Sequence, residues 1–184
     1  NCYLEKGQKM FLTKNGKTSW QIYVAKPEDK IINFAGEELK KYITKISGVV
    51  LKETKHPVQK NVIILGLRKN LTKFRYLLPA TKPGFDGYSI TITTTKIIIV
   101  GDNTNGLLYG VYDFLEQLGC RWYYPQIDPQ DQEVIPTKQN IILAPGKRSE
   151  SARVKDRVYF AAGLAFQLKW LDYAKQQIDW AAKN

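Results

Sequence analysis

The stretch Gly101 to Pro125, GDNTNGLLYGVYDFLEQLGCRWYYP, joins a turn, an amphipathic helix and an aromatic segment without a spare residue. Asn103 or Thr104 can cap the first free amides of a helix, and Gly119 is placed to end it in the left-handed conformation. The apolar residues in between recur at three- and four-residue spacing, which predicts one buried face. That face consists of Leu107, Leu108, Val111, Leu115 and Leu118. Gly106 and Gly110 each cost about 1 kcal/mol in helix propensity, so we expect this helix to approach a sheet closely.

A strand, a helix and a second strand are predicted upstream. Ser19 to Ala25 alternates large apolar and polar residues, which is the pattern of a half-buried strand. Pro27 in a first turn, followed by acidic residues, predicts a helix that runs to about Ile46 and is ended by Gly48. Its predicted core stripe is Ile32, Ala35, Leu39, Ile43 and Ile46. The continuously apolar run from Asn61 to Gly66, NVIILG, is typical of a strand that is covered on both faces and paired in parallel.

The remaining elements complete a mixed sheet. Gly87 to Thr95 alternates strictly and Lys96 to Val100 follows at once, which predicts an antiparallel hairpin. Arg68 to Pro83 is basic and turn-rich, and we interpret it as a connection with at most a short helical turn. Glu133 to Ile135 and Asn140 to Leu143 are predicted to be short edge strands. The fold class is therefore α+β, an α/β sandwich with a mixed five- to seven-stranded sheet and two amphipathic helices on one face.

The character of the sequence changes after Gly146. Lys147 to Lys155 is charged and is interpreted as a linker, and Arg157 to Phe160 is one more short apolar strand. A final helix is predicted to bury Leu171, Ala174, Ile178 and Ala181. We therefore predict a first domain at 1–146, and a linker with the start of a following domain at 147–184.

Composition limits the classes of function. The 184 residues carry a net charge of +11, but the lysines are dispersed, so a solvated basic surface is favoured over a polyanion-binding one. No apolar run approaches the roughly 20 residues that a membrane helix needs. Of the two cysteines, Cys120 is predicted to be a buried apolar residue, whereas Cys2 stands where bacterial lipoproteins carry their lipid, so a lipid anchor there is kept as an alternative.

No catalytic constellation emerges from the residues. The carboxylate pairs Glu37–Glu38 and Asp113–Glu116 are interpreted as solvated helix faces. Asp128, Asp131 and Glu133 lack the glycine and terminal glutamate of a known calcium loop. The single histidine, His56, leaves neither a two-histidine zinc motif nor a conventional triad. We expect no catalytic residue, metal or cofactor in this chain.

Aromatic residues at the end of the opening stretch are the candidates for carbohydrate contact. Trp122 and Tyr124 fall on one side of an extended segment and Tyr123 on the other. Their rings have apolar faces and polar tips that suit a sugar. The alternation also predicts that at least one of the two sides belongs to the core.

Three motifs carry a resemblance to a known family. They are Gly87-Tyr88-x-Ile90, Ile98-x-Val100-Gly101 and Gly106-x-x-Tyr109-Gly110-Val111-Tyr112-x-Phe114-Leu115-Glu116-x-x-Gly119-Cys120-Arg121-Trp122-Tyr123-x-Pro125. Together with the segments Glu37 to Gly48 and Val62 to Gly66, they resemble the amino-terminal domain of family 67 α-glucuronidases. The pattern is similar, more loosely, to the non-catalytic second domain of family 20 β-hexosaminidases.

This resemblance implies a sandwich that precedes a catalytic (β/α)₈ barrel in a secreted, periplasmic or cell-surface protein of bacterial type. Arg157 to Phe160 would be the first barrel strand, and 179–184 would belong to the first barrel helix. Arg157 and Tyr159 would then be candidates for sugar contact at the barrel mouth, and the catalytic carboxylates would lie beyond Asn184.

Three functions follow as hypotheses. The first is a non-catalytic accessory domain of a carbohydrate-active, α-glucuronidase-like protein that supports the barrel and shapes its substrate entrance. The alternative is a stand-alone basic module that binds acidic glycans or other polyanions, with nucleic acid disfavoured. The third is an independent hydrolase, which would require turnover of aryl glycosides by residues 1–184 alone.

Overall fold

The structure is a computed structural model, and it describes residues 9–79, 83–123, 133–153 and 170–183. The elements of the first half are β1 (Met10–Thr13), β2 (Gln21–Val24), α1 (Lys30–Ser47), β3 (Lys52–Glu53), β4 (Val62–Leu67) and two 3₁₀ helices (Arg68–Asn70 and Thr72–Leu77). They are followed by β5 (Tyr88–Ile92), β6 (Lys96–Gly101), α2 (Thr104–Leu118), β7 (Ile141–Leu143), β8 (Gly146–Glu150) and α3 (Trp170–Lys183).

The main sheet is mixed and has six strands in the order β3-β2-β4-β6-β5-β8. Strands β3, β2, β4 and β6 run parallel to one another, whereas β5 and β8 pair antiparallel. The parallel pairing of β2 with β4 and the β5–β6 hairpin are both as predicted. The predicted fold class, a mixed five- to seven-stranded sheet in an α/β sandwich, is therefore confirmed.

Both long helices pack on one face of this sheet, as predicted. The five predicted core residues of α1 are all buried, and they share a cluster with Leu107 and Leu115 of α2 and with Ile63 and Ile97 of the sheet. Helix α1 begins later than predicted because the Asp29 side chain, rather than a turn at Pro27, caps the amides of Ile31 and Ile32. Helix α2 is capped by Asn103, as one of the two predicted caps.

The two glycines of α2 lie where the helix meets the sheet. A Cβ atom at Gly110 would stand 3.1 Å from side-chain atoms of Ile99 and Tyr88 on β6 and β5. A Cβ at Gly106 would stand only 2.3 Å from the carbonyl oxygen of Gly87. The close approach that these glycines predict is therefore present.

The connection after β4 covers the second face of the sheet. Leu71, Phe74 and Leu78 are buried there against Val62 and Ile64 of β4 and their neighbours on β6. The apolar run NVIILG is thus covered on both faces, as its composition predicts. The covering layer is built from two 3₁₀ helices of three and six residues, which is more than the single short helical turn predicted for this segment.

Two predictions about the later strands need correction. Ile141–Leu143 is not an edge strand of the main sheet, because it pairs antiparallel with β1 in a separate two-stranded sheet. Val134 forms only an isolated bridge with Arg121. Strand β1 had not been anticipated, and it supplies the backbone partner that takes β7 out of the main sheet.

The linker interpretation of Lys147 to Lys155 is wrong for its first residues. Gly146–Glu150 is strand β8, which pairs with the whole of β5 from Ile92↔Gly146 to Tyr88↔Glu150. Its side chains are mostly exposed, so no apolar pattern marks it. The strand forms because the outer edge of β5 would otherwise leave a row of backbone donors and acceptors unpaired. The sheet therefore extends past the predicted domain boundary at 146.

Candidate functional site

Helix α3 lies against the outer side of the helix layer formed by α1 and α2. The indole Nε1 of Trp180 donates a 2.7 Å hydrogen bond to the backbone oxygen of Trp122. Lys183, one turn further along α3, has a side chain that is only 3% exposed. Its ammonium group lies 3.4 Å from Glu133 and also pairs with Asp179. These contacts make the outer face of the helix layer the candidate functional site.

The carboxylate of Glu133, in the segment before β7, contacts both helix α1 and helix α3. Its side chain is 6% exposed, and it accepts hydrogen bonds from Tyr42 Oη at 2.5 Å and Lys45 Nζ at 3.0 Å, both on α1. Burial by itself would raise the pKa of Glu133, but the hydrogen bonds from Tyr42 and Lys45 and the charge of Lys183 together lower that pKa below its usual value. The ionised carboxylate is thus the form that the site favours.

Tyr42 is the aromatic centre of this site. Its ring faces three ammonium groups, those of Lys41 at 5.0 Å, Lys45 at 5.2 Å and Lys183 at 5.8 Å from the ring centroid. Its hydroxyl accepts a 2.9 Å hydrogen bond from Trp122 Nε1 while it donates to Glu133. Burial, and then the hydrogen bond to Glu133, raise the pKa of Tyr42 well above its ordinary value. The hydroxyl therefore stays protonated as a donor.

A second buried carboxylate, Glu38, holds α1 to α2. It accepts a 2.9 Å hydrogen bond from Tyr112 Oη and pairs with Lys41 at the same distance. Glu38 is 5% exposed, so its interpretation as part of a solvated helix face is wrong. The burial is tolerated because both partners satisfy the carboxylate in place of water.

Trp122, a predicted carbohydrate contact, lies in the core beneath α3. It is 3% exposed and makes edge-to-face contacts with Tyr42 and Tyr112, at 5.2 and 5.3 Å between ring centroids. Tyr123 on the opposite side of the chain is 62% exposed, so the prediction that one side is core is confirmed. The burial of Trp122 favours a structural role over stacking on a sugar.

The other predicted contacts, Tyr124, Arg157 and Tyr159, lie outside the described residues, as does Cys2. The first barrel strand proposed at Arg157 to Phe160 falls there too. Cys120 is fully buried, as predicted, and burial raises the pKa of its thiol to about 11.

The predicted buried face of α3 is wrong at Ile178, whereas the side chains of Leu171 and Ala174 lie outside the described residues. Ile178 was expected in the core, but it is 70% exposed, and Gln177 and Lys183 are buried instead. Apolar spacing failed here because the helix packs on a surface that offers a carboxylate and a backbone oxygen. The sequence signal that remained was Asp179 four residues before Lys183, a spacing that places a salt bridge beside Trp180.

A cleft of about 400 Å³ opens between α2 and β8. Its walls include Tyr88, Tyr109, Asp113, Glu116 and Arg148. The Asp113 side chain is only 11% exposed and pairs with Arg148 at 3.1 Å, so it is not part of a solvated face. Burial, and next the charge of Asp113, raise the pKa of the Tyr88 hydroxyl. Asp113 is thus held in an ion pair at the wall of the cleft.

The sequence of residues 8–114, more than half of the chain, matches the family model described as glycosyl hydrolase family 67 N-terminus. The chain belongs to this family. The match includes α1, β4, the β5–β6 hairpin and most of α2, and it ends before Glu133 and α3. Trp122 and Glu133, which contact α3, also follow the matched range, whereas Tyr42, whose ring lies 5.8 Å from Lys183 Nζ, belongs to it.

Solved structures share the fold of this family 67 N-terminal domain. A family GH115 4-O-methyl-α-glucuronidase with specificity for decorated arabinogalactans aligns with a TM-score of 0.59 at 13% identity, covering 77% of this chain and 18% of that one. A GH20 β-N-acetylhexosaminidase from Streptomyces coelicolor A3(2) aligns with a TM-score of 0.52 at 19% identity, covering 83% of this chain and 25% of that one. The chain spans a quarter or less of the length of these neighbours. A sequence search of curated proteins finds no match.

Two further observations concern the described part of the family 67 domain. Across 9–79, 83–123, 133–153 and 170–183, no group of three or more His, Cys, Asp or Glu side chains is arranged to hold a metal ion. None of the helices in those ranges combines the length and the apolar character that crossing a membrane requires.

Proposed function

We propose that this chain is a non-catalytic accessory domain of an α-glucuronidase-like glycoside hydrolase, and that its helix layer is the platform on which a catalytic barrel in the same polypeptide packs. The family assignment supports a carbohydrate-active parent protein. The solved neighbours that share the fold include two glycoside hydrolases, each far longer than this chain.

The contact of α3 with the helix layer carries the proposal. By the family resemblance, the end of α3 corresponds to the first barrel helix. It is fastened by a buried ion pair, Lys183 with Glu133, and by the hydrogen bond from Trp180 to Trp122. Polar contacts of this kind fix orientation more than they add affinity, because desolvation offsets much of their attraction. They suit a support that must hold a neighbouring domain in one position.

Turnover assays test this proposal directly. We expect residues 1–184 to release no product from an aryl α-glucuronide above the buffer rate. A polypeptide that includes the sequence following Asn184 should show turnover, and that sequence should place paired carboxylates at the ends of barrel strands.

Variants on the docking face extend the test. In the longer polypeptide, Trp180→Phe should lower the thermal midpoint without changing the pH profile of turnover, because the indole supports the barrel and touches no substrate. Turnover by residues 1–184 alone, or a downstream sequence without barrel strands, would refute the accessory role.

A further inference from the structure

The positive charge of the chain is concentrated in one segment. The 32 residues between Glu53 and Asp86 contain seven Lys and Arg and no Asp or Glu, so they carry +7 of the net +11. The lysines of this segment are spaced apart and so look dispersed. Because the segment contains no Asp or Glu, their positive charge is nevertheless concentrated there. Nine of these residues form the layer of 3₁₀ helices on the sheet face opposite to α1 and α2, and they include four of the seven cations.

The three-residue period of the 3₁₀ helices determines which side chains of this layer face the sheet and which face outward. Residues three apart in a 3₁₀ helix lie above one another. Leu71, Phe74 and Leu77 form the row that packs on the sheet. The remaining side chains face outward: Lys69, Thr72, Lys73, Arg75 and Tyr76 are exposed, and Asn70 is half-buried.

The outward cations have no acidic partner in the part of the chain that the structure describes. Within the described ranges, no carboxylate lies at ion-pair distance from Lys69, Lys73 or Arg75. Arg68 differs, because it points inward and pairs with Asp102 at 2.8 Å. Tyr76 follows Arg75 in the same 3₁₀ helix and is 72% exposed. The outward side chains therefore combine an accessible aromatic ring with three positive charges that no carboxylate of the described residues neutralises.

We propose that these four residues, Lys69, Lys73, Arg75 and Tyr76, form a basic face that binds a carboxylate-bearing polysaccharide. The cations pair with carboxylates repeated along the polymer, and the tyrosine ring packs on the apolar face of a sugar ring. The basic face and α3 lie on opposite sides of the sheet, so the polymer is held while the next domain stays docked. The choice of a glycan over a nucleic acid rests on the proposed function.

Binding of polygalacturonate by the 184-residue chain tests the basic face, with calorimetry or affinity electrophoresis as the measurement. We expect binding at low salt that weakens at 0.5 M salt, because screening shortens the reach of surface charges. The triple variant Lys69→Glu, Lys73→Glu, Arg75→Glu should bind at least tenfold more weakly. Tyr76→Ala should also weaken binding, whereas Tyr76→Phe, which keeps the ring, should retain most of it.

A matched triple variant controls for net charge. Lys9→Glu, Lys17→Glu and Lys30→Glu change the total charge equally at exposed positions outside the basic face, and binding should stay within about threefold of wild type. All the substituted residues are exposed, so unchanged denaturation midpoints should show that the variants fold.

Three results would overturn the proposal: no binding of polygalacturonate by the wild-type chain, equal losses in the two triple variants, or equally tight binding of single-stranded DNA. A neutral polymer such as dextran should not bind. None of these outcomes changes the turnover test of the accessory role, so the two ideas fail separately.

Discussion

Glu133 accepts hydrogen bonds from Tyr42 and Lys45 on α1 and lies 3.4 Å from Lys183 on α3. Glu133→Gln keeps the shape and the acceptor oxygen but removes the charge that compensates Lys183. We expect the free energy of unfolding at pH 7 to fall by about 2 kcal/mol, as for a hydrogen bond to a charged group. Chemical denaturation measures the change. Glu37→Gln, at an exposed position on α1, is the control and should cost less than about 0.5 kcal/mol.

The Glu133 carboxylate should also make the free energy of unfolding depend on pH. The pKa of Glu133 is lower in the folded chain than the value of about 4.3 expected when it is unfolded. The stabilisation by the ionised Glu133 carboxylate is therefore present above about pH 4.3, and it is lost as the pH falls through the lower pKa of the folded chain. The stability gap between wild type and Glu133→Gln should shrink below pH 4. If the difference in unfolding free energy between wild type and Glu133→Gln stays constant from pH 7 to pH 3, Glu133 is not ionised in the folded chain as inferred.

Gly106 and Gly110 meet different atoms, and this predicts different costs for the same substitution. At Gly106 a methyl group would strike the backbone oxygen of Gly87, which cannot turn away, so Gly106→Ala should cost at least about 2 kcal/mol. At Gly110 the neighbours are side-chain atoms at 3.1 Å, and the gain in helix propensity offsets part of the strain. Gly110→Ala should therefore be milder, and Gly110→Leu should exceed about 2 kcal/mol. Equal denaturation midpoints for Gly106→Ala and wild type would refute the close approach.

At the scale of elements, the contacts that hold the described part of α3 can each be tested by one substitution. Trp180→Phe removes the donor to the Trp122 oxygen while it keeps an aromatic ring. We expect hydrogen exchange of the α3 amides to speed up about fivefold or more, corresponding to a hydrogen bond of about 1 kcal/mol, with exchange in the sheet unchanged. Ile178→Ser, at a position that is 70% exposed, serves as the control and should leave exchange as it is.

The elements predicted correctly from the sequence are those whose pattern is local. Helix α2 carries its own cap at Asn103, its terminator at Gly119 and its apolar stripe, so nothing distant was needed to find it. The continuously apolar composition of β4 likewise predicts that the strand is buried on both faces. Such elements are determined by residues within one or two turns of each other.

The elements missed are those decided by a distant partner. Strand β8 reads GKRSE, and only the open edge of β5 makes it a strand. Likewise, Glu133 lies 91 residues from Tyr42, so its place in a buried site could not be inferred from spacing. Strand edges and charges that pair over long sequence distances produce no periodic pattern in the sequence. The candidate site depends on such pairs, so it could be predicted only in part.

At the scale of the whole molecule, the end of the sandwich can be located by truncation. The six-stranded sheet is complete at Glu150, so a chain that ends at Arg153 should unfold in one cooperative transition, at a lower midpoint because Trp122 and Glu133 lose the cover of α3. A chain that ends at Pro145 lacks β8 and exposes the edge of β5. We expect that shorter chain to aggregate or unfold at a much lower denaturant concentration. Identical behaviour of the two truncations would mean that β8 adds nothing to the domain.

The position of β6 bears on whether copies of this domain can pair through their strand edges. Its run KIIIV has the composition of a segment that forms intermolecular cross-β contacts. In the fold, β4 and β5 occupy both of its hydrogen-bonding edges. The outermost strands are a two-residue strand at one border and the charged β8 at the other, and neither offers a long apolar edge to a second molecule. The order of the strands thus keeps the backbone edges of this apolar segment away from other copies of the chain.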